Sequence, residues 1–423
     1  MKKKPLVLVT VAVTLVLSLV FVNVSGADRK VGTGPTHLYA SEDPQFLRSM
    51  GLLMGPAILE GNQVRELING DQIFPAMLEA IRSARKTVLF ETYIYWSGDV
   101  GKSFAQALSE RAQAGVKVHV LLDWLGSAKI DGAVLDTMRA AGVEVELYHP
   151  LHWYNLDRLN NRTHRKLLVV DGAVGFTGGV GIAPIWTGNA QDKDHWRDSH
   201  FRVEGPVVGQ MQAVMLDNWS KTTGRVLHGE AYFPPLRPAG NQRAQMFASS
   251  PNGGSESMLL MYLLAINAAS RTIELSSAYF VPDEITRQAL VAAVKRGVKV
   301  RIITPGPIID AETVRRASRG LWGDLLQAGA EIYEFQPTMY HCKVMIVDGF
   351  MTSVGSTNFD VRSFRLNDEA NLNVYDAAFA RRQQQVFEAD LKQSRRVTFQ
   401  DWSGRPWSEK LHERAAALLA PML

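Results

Sequence analysis

The chain has 423 residues, of which 46% are hydrophobic and 21% are charged, a composition that can bury one large core or two ordinary ones. Its net charge of +4 and pI near 9.0 suit an anionic lipid surface or a nucleic-acid backbone, and by themselves select neither. Cys342 is the only cysteine, which excludes an intramolecular disulfide and leaves the redox compartment open.

The N-terminus combines three lysines, Lys2 to Lys4, with an uncharged run from Pro5 to Ala27. The run is longer than the apolar core of most signal peptides, which favours an uncleaved membrane anchor. Ser25-Gly26-Ala27 is nevertheless an acceptable cleavage site, which would give a secreted or periplasmic protein. We expect residues 1–27 to be an anchor or signal peptide, with the body extracytoplasmic because the lysines favour the cytoplasmic side.

Residues 28–56 are rich in Gly, Pro and polar side chains and are expected to form a linker. The body then begins near Leu59 with a strand, helix, strand plan. Val88 to Tyr95 is rich in β-formers, Phe104 and Leu108 have helical spacing, and Val116 to Leu122 is β-rich again.

The same plan recurs later in the chain. Residues 80–88 match 265–273, and residues 114–118 match 296–300. Ile285 and Ala289 have helical spacing ahead of a β-rich run from Val298 to Ile303. Strands that alternate with helices predict a mostly parallel or mixed sheet covered on both faces, here in two copies.

A short motif occurs once in each copy, at a constant offset of 177 residues. It reads His164-Arg165-Lys166 to Asp171 in the first copy and His341-Cys342-Lys343 to Asp348 in the second. Side chains two apart on an extended segment share a face, so each His and Lys should point the same way and Arg165 and Cys342 the other. A catalytic role for the thiol is therefore disfavoured.

Each motif continues into a β-rich run and an Asp-Gly pair, at 171–172 and 348–349, which is a strong signal for a tight turn. The aspartates can thus form the turn or take part in the chemistry, and the sequence leaves both open. Beyond the turns lie small residues whose backbone N–H groups can approach an anion, including Gly179 in the first copy and Ser356 with Asn358 in the second.

These motifs resemble the signature of the phospholipase D superfamily, and from about Leu59 onward the chain is similar to its cardiolipin synthase branch. The segments that carry the narrower resemblance are Glu91-Thr92-Tyr93-Ile94-Tyr95, Trp196-Arg197-Asp198, Ala278-Tyr279-Phe280-Val281-Pro282, Tyr333-Glu334-Phe335 and Arg362-Ser363-Phe364-Arg365-Leu366-Asn367-Asp368-Glu369. One departure is Gly181, where the family usually has Asn, whereas the second copy keeps Asn358.

The resemblance implies an α/β fold of two tandem phospholipase D-like sandwich halves, related by pseudo-twofold symmetry and preceded by the N-terminal hydrophobic helix. The first half is expected over residues 57–237 with its motif at 158–185, and the second over 238–395 with its motif at 335–362. Residues 396–423 are expected to form an amphipathic tail. Because the site is shared by two halves of one chain, a monomer is sufficient for one active site.

The resemblance also assigns roles. His164 is the nucleophile that forms a covalent phosphohistidine-type intermediate, and His341 is the acid and base, although the near symmetry of the halves leaves the reverse assignment open. The remaining site residues are Lys166 and Lys343 with Asp171 and Asp348 in the catalytic signature, Ser356, Asn358 and Gly179 on the phosphate, and Asp198 and Glu369 as partners that orient the histidines. No metal or other cofactor is expected, because the lysines supply the positive charge.

Three reactions compete at the substrate level. The first transfers a phosphatidyl group from one phosphatidylglycerol to a second, forming cardiolipin at a membrane. The second is hydrolysis of a phospholipid to phosphatidic acid, and the third is nuclease activity. Since we find no dense basic stripe interleaved with aromatic residues, no nucleic-acid partner is expected. The sequence does not distinguish a lipid acceptor from water, or glycerol from ethanolamine headgroups.

Overall fold

The computed structural model describes residues 3–24, 31–32, 34–150, 160–251 and 256–420. Up to the end of the first half the helices are α1 (Lys3–Val24), α2 (Pro44–Leu53), α3 (Asn69–Ser83), α4 (Asp99–Gln113), α5 (Gly132–Ala140) and α6 (Val208–Thr223). The strands of this half are β1 (Leu59–Ile68), β2 (Thr87–Thr92), β3 (Lys117–Asp123), β4 (Glu144–Tyr148), β5 (Arg162–Thr163), β6 (Lys166–Val170), β7 (Val174–Gly178) and β8 (Ser199–Glu204).

The second half repeats this order. Its strands are β9 (Gln242–Ser249), β10 (Thr272–Ser277), β11 (Phe280–Val281), β12 (Lys299–Pro305), β13 (Glu331–Phe335), β14 (Lys343–Val347), β15 (Met351–Gly355), β16 (Phe359–Asp360), β17 (Asn367–Tyr375) and β18 (Ser394–Val397). Its helices are α7 (Ser257–Ala268), α8 (Glu284–Lys295), α9 (Glu312–Gly320), α10 (Gly323–Ala328), α11 (Val361–Arg365), α12 (Ala377–Leu391), α13 (Phe399–Ser403) and α14 (Trp407–Ala417).

One continuous sheet runs through both halves, which meet at the antiparallel pair β1 and β9. Outward from this pair the order is β1-β8-β7-β6-β2-β3-β4 on one side and β9-β17-β15-β14-β10-β12-β13-β18 on the other. The two orders correspond strand by strand, apart from the extra β18, so the predicted duplication is visible in the topology. In the first half β2, β3 and β4 are parallel and the inner strands antiparallel. In the second half β10, β12 and β13 are likewise parallel, and β18 adds an antiparallel strand at the edge, so the sheet is mixed as predicted.

Helices cover both faces of the sheet, as the strand and helix alternation predicts. One layer packs α3, α4 and α5 on the first half, and α7, α8 and α10 on the second. The opposite face is covered by α6 and α12, whose buried side chains, among them Trp219 and Phe387, belong to one core that also contains Val64 and Leu372. Because this core draws on strands of both halves, burial of its large apolar side chains holds the halves together.

Two observations concern the N-terminal region. In the part of the chain that the structure describes, we find no helix that is both long and apolar enough to cross a membrane. The segment predicted as a linker contains α2, whose Phe46 and Met50 are buried in the core of the second half. The hydroxyl of Ser41 also donates a hydrogen bond of 2.7 Å to Asp348.

Candidate active site

Both motifs begin just before a central strand and have the same local geometry. Lys166 is the first residue of β6, and its Nζ donates to the carbonyl of His164 at 2.7 Å. Lys343 begins β14 and donates to the carbonyl of His341 at the same distance of 2.7 Å. The intervening Arg165 faces the other way, where its Nη1 donates to the carbonyl of Val214 at 2.9 Å.

Cys342 is the counterpart of Arg165 and also faces away from the histidines. Its Sγ lies 3.8 Å from the hydroxyl oxygen of Ser199, on the face of the sheet that α6 and α12 cover. Burial raises the pKa of this thiol to about 12, so it stays protonated at neutral pH. This agrees with the expectation that the thiol takes no part in the chemistry.

The backbone of each motif pairs with the opposite half. The short strand β5 runs parallel to the start of β17, and the N–H of His164 donates to the carbonyl of Asp368 at 2.9 Å. At the equivalent position of the second motif, the N–H of His341 donates to the carbonyl of Arg197 at 2.8 Å. Each histidine is therefore held beside the residue that follows its backbone partner, which is Glu369 or Asp198.

These two acids form crossed pairs with the histidines. Nδ1 of His164 lies 3.0 Å and 3.1 Å from the carboxylate oxygens of Glu369. Nδ1 of His341 lies 2.7 Å from Oδ2 of Asp198. In both pairs the histidine belongs to one half and the carboxylate to the other. A carboxylate on Nδ1 keeps the proton there and leaves Nε2 as the reactive nitrogen.

The orienting carboxylates are fixed by further hydrogen bonds. The hydroxyl of Ser356 donates to Oε2 of Glu369 at 2.5 Å. Nε1 of Trp186 donates to Oδ2 of Asp198 at 3.1 Å, and the backbone N–H of Ser199 donates to Oδ1 at 2.8 Å. Ser356, predicted on the phosphate, is thus already engaged with the carboxylate that orients His164.

Gly179 occupies the position equivalent to Ser356 and contacts the other carboxylate. A Cβ at this position would lie 2.2 Å from Oδ1 of Asp198, so only glycine lets the carboxylate approach. The N–H of Gly179, predicted on the phosphate, donates instead to the carbonyl of Ser199 at 3.2 Å. The absence of a Cβ at this position makes room for Asp198.

The amide that the family usually has at the end of each motif is present in the second half only. Asn358 is buried, and its Oδ1 has no hydrogen-bond partner within the described ranges. At the equivalent Gly181, an added Cβ would lie 2.9 Å from Cβ of Ile94 and 3.1 Å from the ring of Trp186. The indole therefore closes the space that an asparagine would need, and the site has one amide instead of two.

Aromatic rings pack directly against both imidazoles. The ring of Tyr93 meets that of His164 edge to face with centroids 5.3 Å apart, and Trp186 and Trp196 each lie 5.3 Å from the ring of His341. Sequence reasoning did not assign these contacts. Trp186 follows the first motif closely, but nothing in its spacing indicates that it donates to Asp198.

Burial determines the charges in the site. It lowers the pKa of His164 to about 4, with Glu369 opposing, and lowers that of His341 well below its usual value, with Lys343, Lys166 and His164 adding to the effect. Both imidazoles are thus neutral at pH 7.

The pKa values of the lysines and carboxylates also shift because these groups are buried. Burial lowers the pKa of Lys166 to about 7 and also lowers that of Lys343. It raises the pKa of Asp198 to about 6, with Lys343 opposing. Burial also disfavours ionisation of Glu369, but the hydrogen bonds from His164 and Ser356 and the charge of Lys166 outweigh it, and the pKa of that carboxyl is lowered.

Asp171 and Asp348 are not brought to this site. Each lies five residues beyond its motif lysine, which on an extended strand is roughly 16 Å. Both have left-handed φ values, 52° and 54°, followed by a glycine with φ of 62° or 64°, which makes two type I′ turns. The carboxylate of Asp171 accepts the N–H groups of residues 85–87, and that of Asp348 accepts those of residues 270–272. Both aspartates therefore hold turns at the far ends of their strands.

Within the described residues, no group of three or more His, Cys, Asp or Glu side chains is arranged to hold a metal ion. The positive charge near the imidazoles comes from Lys166 and Lys343. Two neutral histidines, two lysines and an amide can supply a nucleophile, a proton donor and contacts for the non-bridging oxygens of a phosphodiester.

The sequence matches the family described as cardiolipin synthase, PLD-like domain, over residues 77–191 and 262–391. The chain belongs to this family. The match includes both motifs and Glu369, whereas Asp198 lies seven residues beyond its first segment. Cardiolipin synthase A of Pseudomonas putida strain GB-1 is 35% identical over 384 residues, which cover 90% of this chain and 80% of that protein. The cardiolipin synthase of Geobacillus kaustophilus strain HTA426 is 34% identical over 365 residues, covering 86% and 72%.

Solved structures with the same fold share little sequence. The crystal structure of phosphatidylserine synthase from Haemophilus influenzae Rd KW20 superposes with a TM-score of 0.68 at 14% identity, covering 90% of this chain and all of that one. Polyphosphate kinase from Porphyromonas gingivalis gives a TM-score of 0.54 at 14% identity, covering 88% and 53%. Family membership makes the chain a phosphatidyltransferase of the phospholipase D superfamily that acts on phospholipids.

Proposed function

We propose that the protein makes cardiolipin by transferring the phosphatidyl group of one phosphatidylglycerol to the free glycerol hydroxyl of a second, with release of glycerol. The names of both relatives support this reaction. The structural observation that carries it is the pair of crossed contacts, His164 with Glu369 and His341 with Asp198. This arrangement gives two equally oriented imidazoles, as a double displacement at one phosphorus atom requires.

His164 is the nucleophile in this proposal. Its Nδ1 is held by the ionised Glu369, and within the described residues its Nε2 has no hydrogen-bond partner. At His341, in contrast, Nζ of Lys343 lies 3.1 Å from both Nδ1 and Nε2, so the approach to that ring is more crowded. Nε2 of His164 would attack phosphorus and form a phosphatidyl-histidine as the bond to the glycerol oxygen breaks.

Lys166, Lys343 and Asn358 hold the non-bridging oxygens. The two ammonium groups act as compact charges, and the amide of Asn358 acts as a neutral donor. With Gly181 in the first half, the amide contact comes from one side of the phosphate only. Ser356 acts indirectly here, by fixing Glu369.

His341 carries the proton. It donates to the departing glycerol oxygen in the first step and accepts the proton of the incoming hydroxyl in the second. Burial and two lysines keep this imidazole neutral in the free enzyme. The negative charge of a bound phosphodiester opposes both lysines, which favours protonation of His341 once the substrate is present.

Phospholipid substrates bring the protein to a membrane surface. The extracytoplasmic orientation of the body, and the anchor in residues 1–27, stay predictions from the N-terminal lysines and the apolar run. One chain contains both motifs, so a monomer is sufficient for the proposed site.

The test is to incubate the purified full-length protein with labelled phosphatidylglycerol vesicles in EDTA and to resolve the lipid products. We expect cardiolipin and free glycerol in equal amounts, with no need for a divalent ion. Phosphatidic acid as the sole product would show that the enzyme hydrolyses the lipid and does not transfer the phosphatidyl group. Loss of turnover in EDTA that a divalent ion restores would contradict the metal-independent chemistry.

A further inference from the structure

Arg162 lies on the active-site side of the first motif and has no role in the chemistry described above. It forms β5 with Thr163 and precedes His164 by two residues. Alternate side chains of an extended segment share a face, so Arg162, His164 and Lys166 point the same way. Thr163 points the other way, where its hydroxyl donates to the buried Glu91 at 2.5 Å.

The guanidinium of Arg162 is buried and lacks hydrogen-bond acceptors. The residue is 2% exposed, and none of its three side-chain nitrogens has a hydrogen-bond partner within the described residues. The nearest carboxylate oxygen, Oδ1 of Asp123, lies 3.6 Å from Nη1. An arginine normally uses its five N–H donors, and burying them unpaired is costly.

Asp123 balances the charge of Arg162 without satisfying its donors. The carboxylate of Asp123 is fully buried, and its oxygens already accept the backbone N–H groups of Leu125, Gly126 and Thr163 at 3.0, 3.0 and 3.2 Å. The acid therefore holds the guanidinium nearby while its donors remain available. A group with several acceptor oxygens, such as a phosphate, matches them.

An aromatic ring supports this guanidinium beside the first motif. Cζ of Arg162 lies 5.5 Å from the ring of Trp124, the residue that follows Asp123. Arg162 is two residues from His164 on an extended segment, so the guanidinium lies on the face of the segment from which the imidazole projects.

The second half has no equivalent of this cluster. The residue 177 positions after Arg162 is Met339, and the strand that ends at Asp123 in the first half ends at Pro305 in the second. The reacting phosphate is held by residues of both halves, whereas Arg162 adds a cation on one side only. A reaction that brings a single additional phosphate into the site would need such a one-sided contact.

We propose that Arg162 binds the second, non-reacting phosphodiester of the acceptor phospholipid and thereby selects an anionic lipid acceptor over water or a neutral alcohol. This inference rests on the proposed transfer to a second phosphatidylglycerol. In that acceptor a three-carbon glycerol separates the attacking hydroxyl from the existing phosphate. Two residues along a strand span roughly 6.6 Å, a comparable length, so a phosphate at Arg162 places the hydroxyl near His164.

The experiment compares two acceptors in the same enzyme. Cardiolipin formation from phosphatidylglycerol vesicles uses an acceptor with a phosphate, and exchange of labelled free glycerol into phosphatidylglycerol uses one without. In R162Q we expect cardiolipin formation to fall at least tenfold and exchange to change less than twofold, with R162K intermediate. R162Q alone leaves the buried carboxylate of Asp123 without its counterion, which could destabilise the fold. The double variant D123N/R162Q removes both buried charges and should show the same selective loss.

The control R139Q removes a half-exposed arginine of α5 and should change neither rate. Equal loss of both rates in folded R162Q and in D123N/R162Q would assign Arg162 a structural role and overturn the subsite. Retention of cardiolipin formation within twofold would overturn it as well. Wild-type protein that forms only phosphatidic acid would contradict the proposed function, and the subsite with it, so the two failures are distinguishable.

Discussion

Glu369 lies on β17 of the second half, yet its carboxylate is 3.0 Å from Nδ1 of His164 in the first half. The contact depends on the parallel pairing of β5 with β17, which carries the backbone of one motif to the acid of the other half. His341 and Asp198 repeat the arrangement at 2.7 Å. Neither half alone therefore contains an oriented histidine, and docking of the halves completes both pairs together.

Replacing Glu369 with Gln should reduce cardiolipin formation by about 10²–10⁴-fold. A glutamine amide that faces Nδ1 as a donor favours the imidazole tautomer with its proton on Nε2, which removes the nucleophilic lone pair. The measurement is the initial rate at saturating phosphatidylglycerol, with circular dichroism to verify folding. E409Q, at an exposed position of α14, should retain the wild-type rate. A normal rate in folded E369Q would remove Glu369 from the mechanism.

The pH dependence should show a narrow maximum between about pH 6 and 7. On the acid side, protonation of Asp198 near 6 releases His341, and protonation of His164 near 4 removes the nucleophile. On the alkaline side, Lys166 loses its charge near 7 and the phosphate is held less well. The profile of kcat/KM reports these groups in the free enzyme.

The decline of kcat/KM above pH 7 tests the role of Lys166 directly. An arginine at position 166 keeps its charge at high pH, so K166R should lose the decline above pH 7 even if its maximal rate is low. Burial also lowers the pKa of Lys343, so a residual decline at higher pH in K166R is expected. An unchanged alkaline limb in K166R would show that another group governs it.

Much of this site was predictable because duplication and strand alternation are visible in sequence. The offset of 177 residues identified both motifs, and the alternation placed His164 with Lys166 and turned Arg165 away. The pairing of each histidine with an acid of the other half was not predictable, since it depends on which strands pair between the halves. The unpaired guanidinium of Arg162 is a three-dimensional property for the same reason, since its neighbours Asp123 and Trp124 lie at the end of β3 and just after it.

Asp348→Ala should destabilise the protein and leave its chemistry largely intact. The substitution leaves the backbone N–H groups of residues 270–272 and the hydroxyl of Ser41 without their acceptor. The hydroxyl of Ser41 is buried, and leaving such a donor without its acceptor costs about 1–3 kcal/mol. The three backbone N–H groups are only partly buried and add less. Thermal unfolding should show a clearly lower midpoint, while the rate per folded molecule should change less than tenfold.

A matched control for this prediction is D136A, which removes a largely exposed aspartate of α5. It should leave both the midpoint and the rate unchanged. The opposite pattern in D348A, an unchanged midpoint with a rate reduced more than 100-fold, would return Asp348 to the catalytic set despite its distance from Lys343.

Gly179→Ala tests whether the carboxylate of Asp198 must lie close to the backbone at position 179. The added Cβ would lie 2.2 Å from Oδ1 of Asp198, so the carboxylate must move and its contact with His341 lengthens. Overpacking of this kind costs about 1–3 kcal/mol, and the disoriented imidazole should lower the rate at least tenfold. In G132A, where nothing lies within 4 Å of the new Cβ at the start of α5, both stability and rate should be preserved. Full activity in G179A would mean that Asp198 tolerates displacement, and its orienting role would then have to be assigned to Trp186 and the backbone.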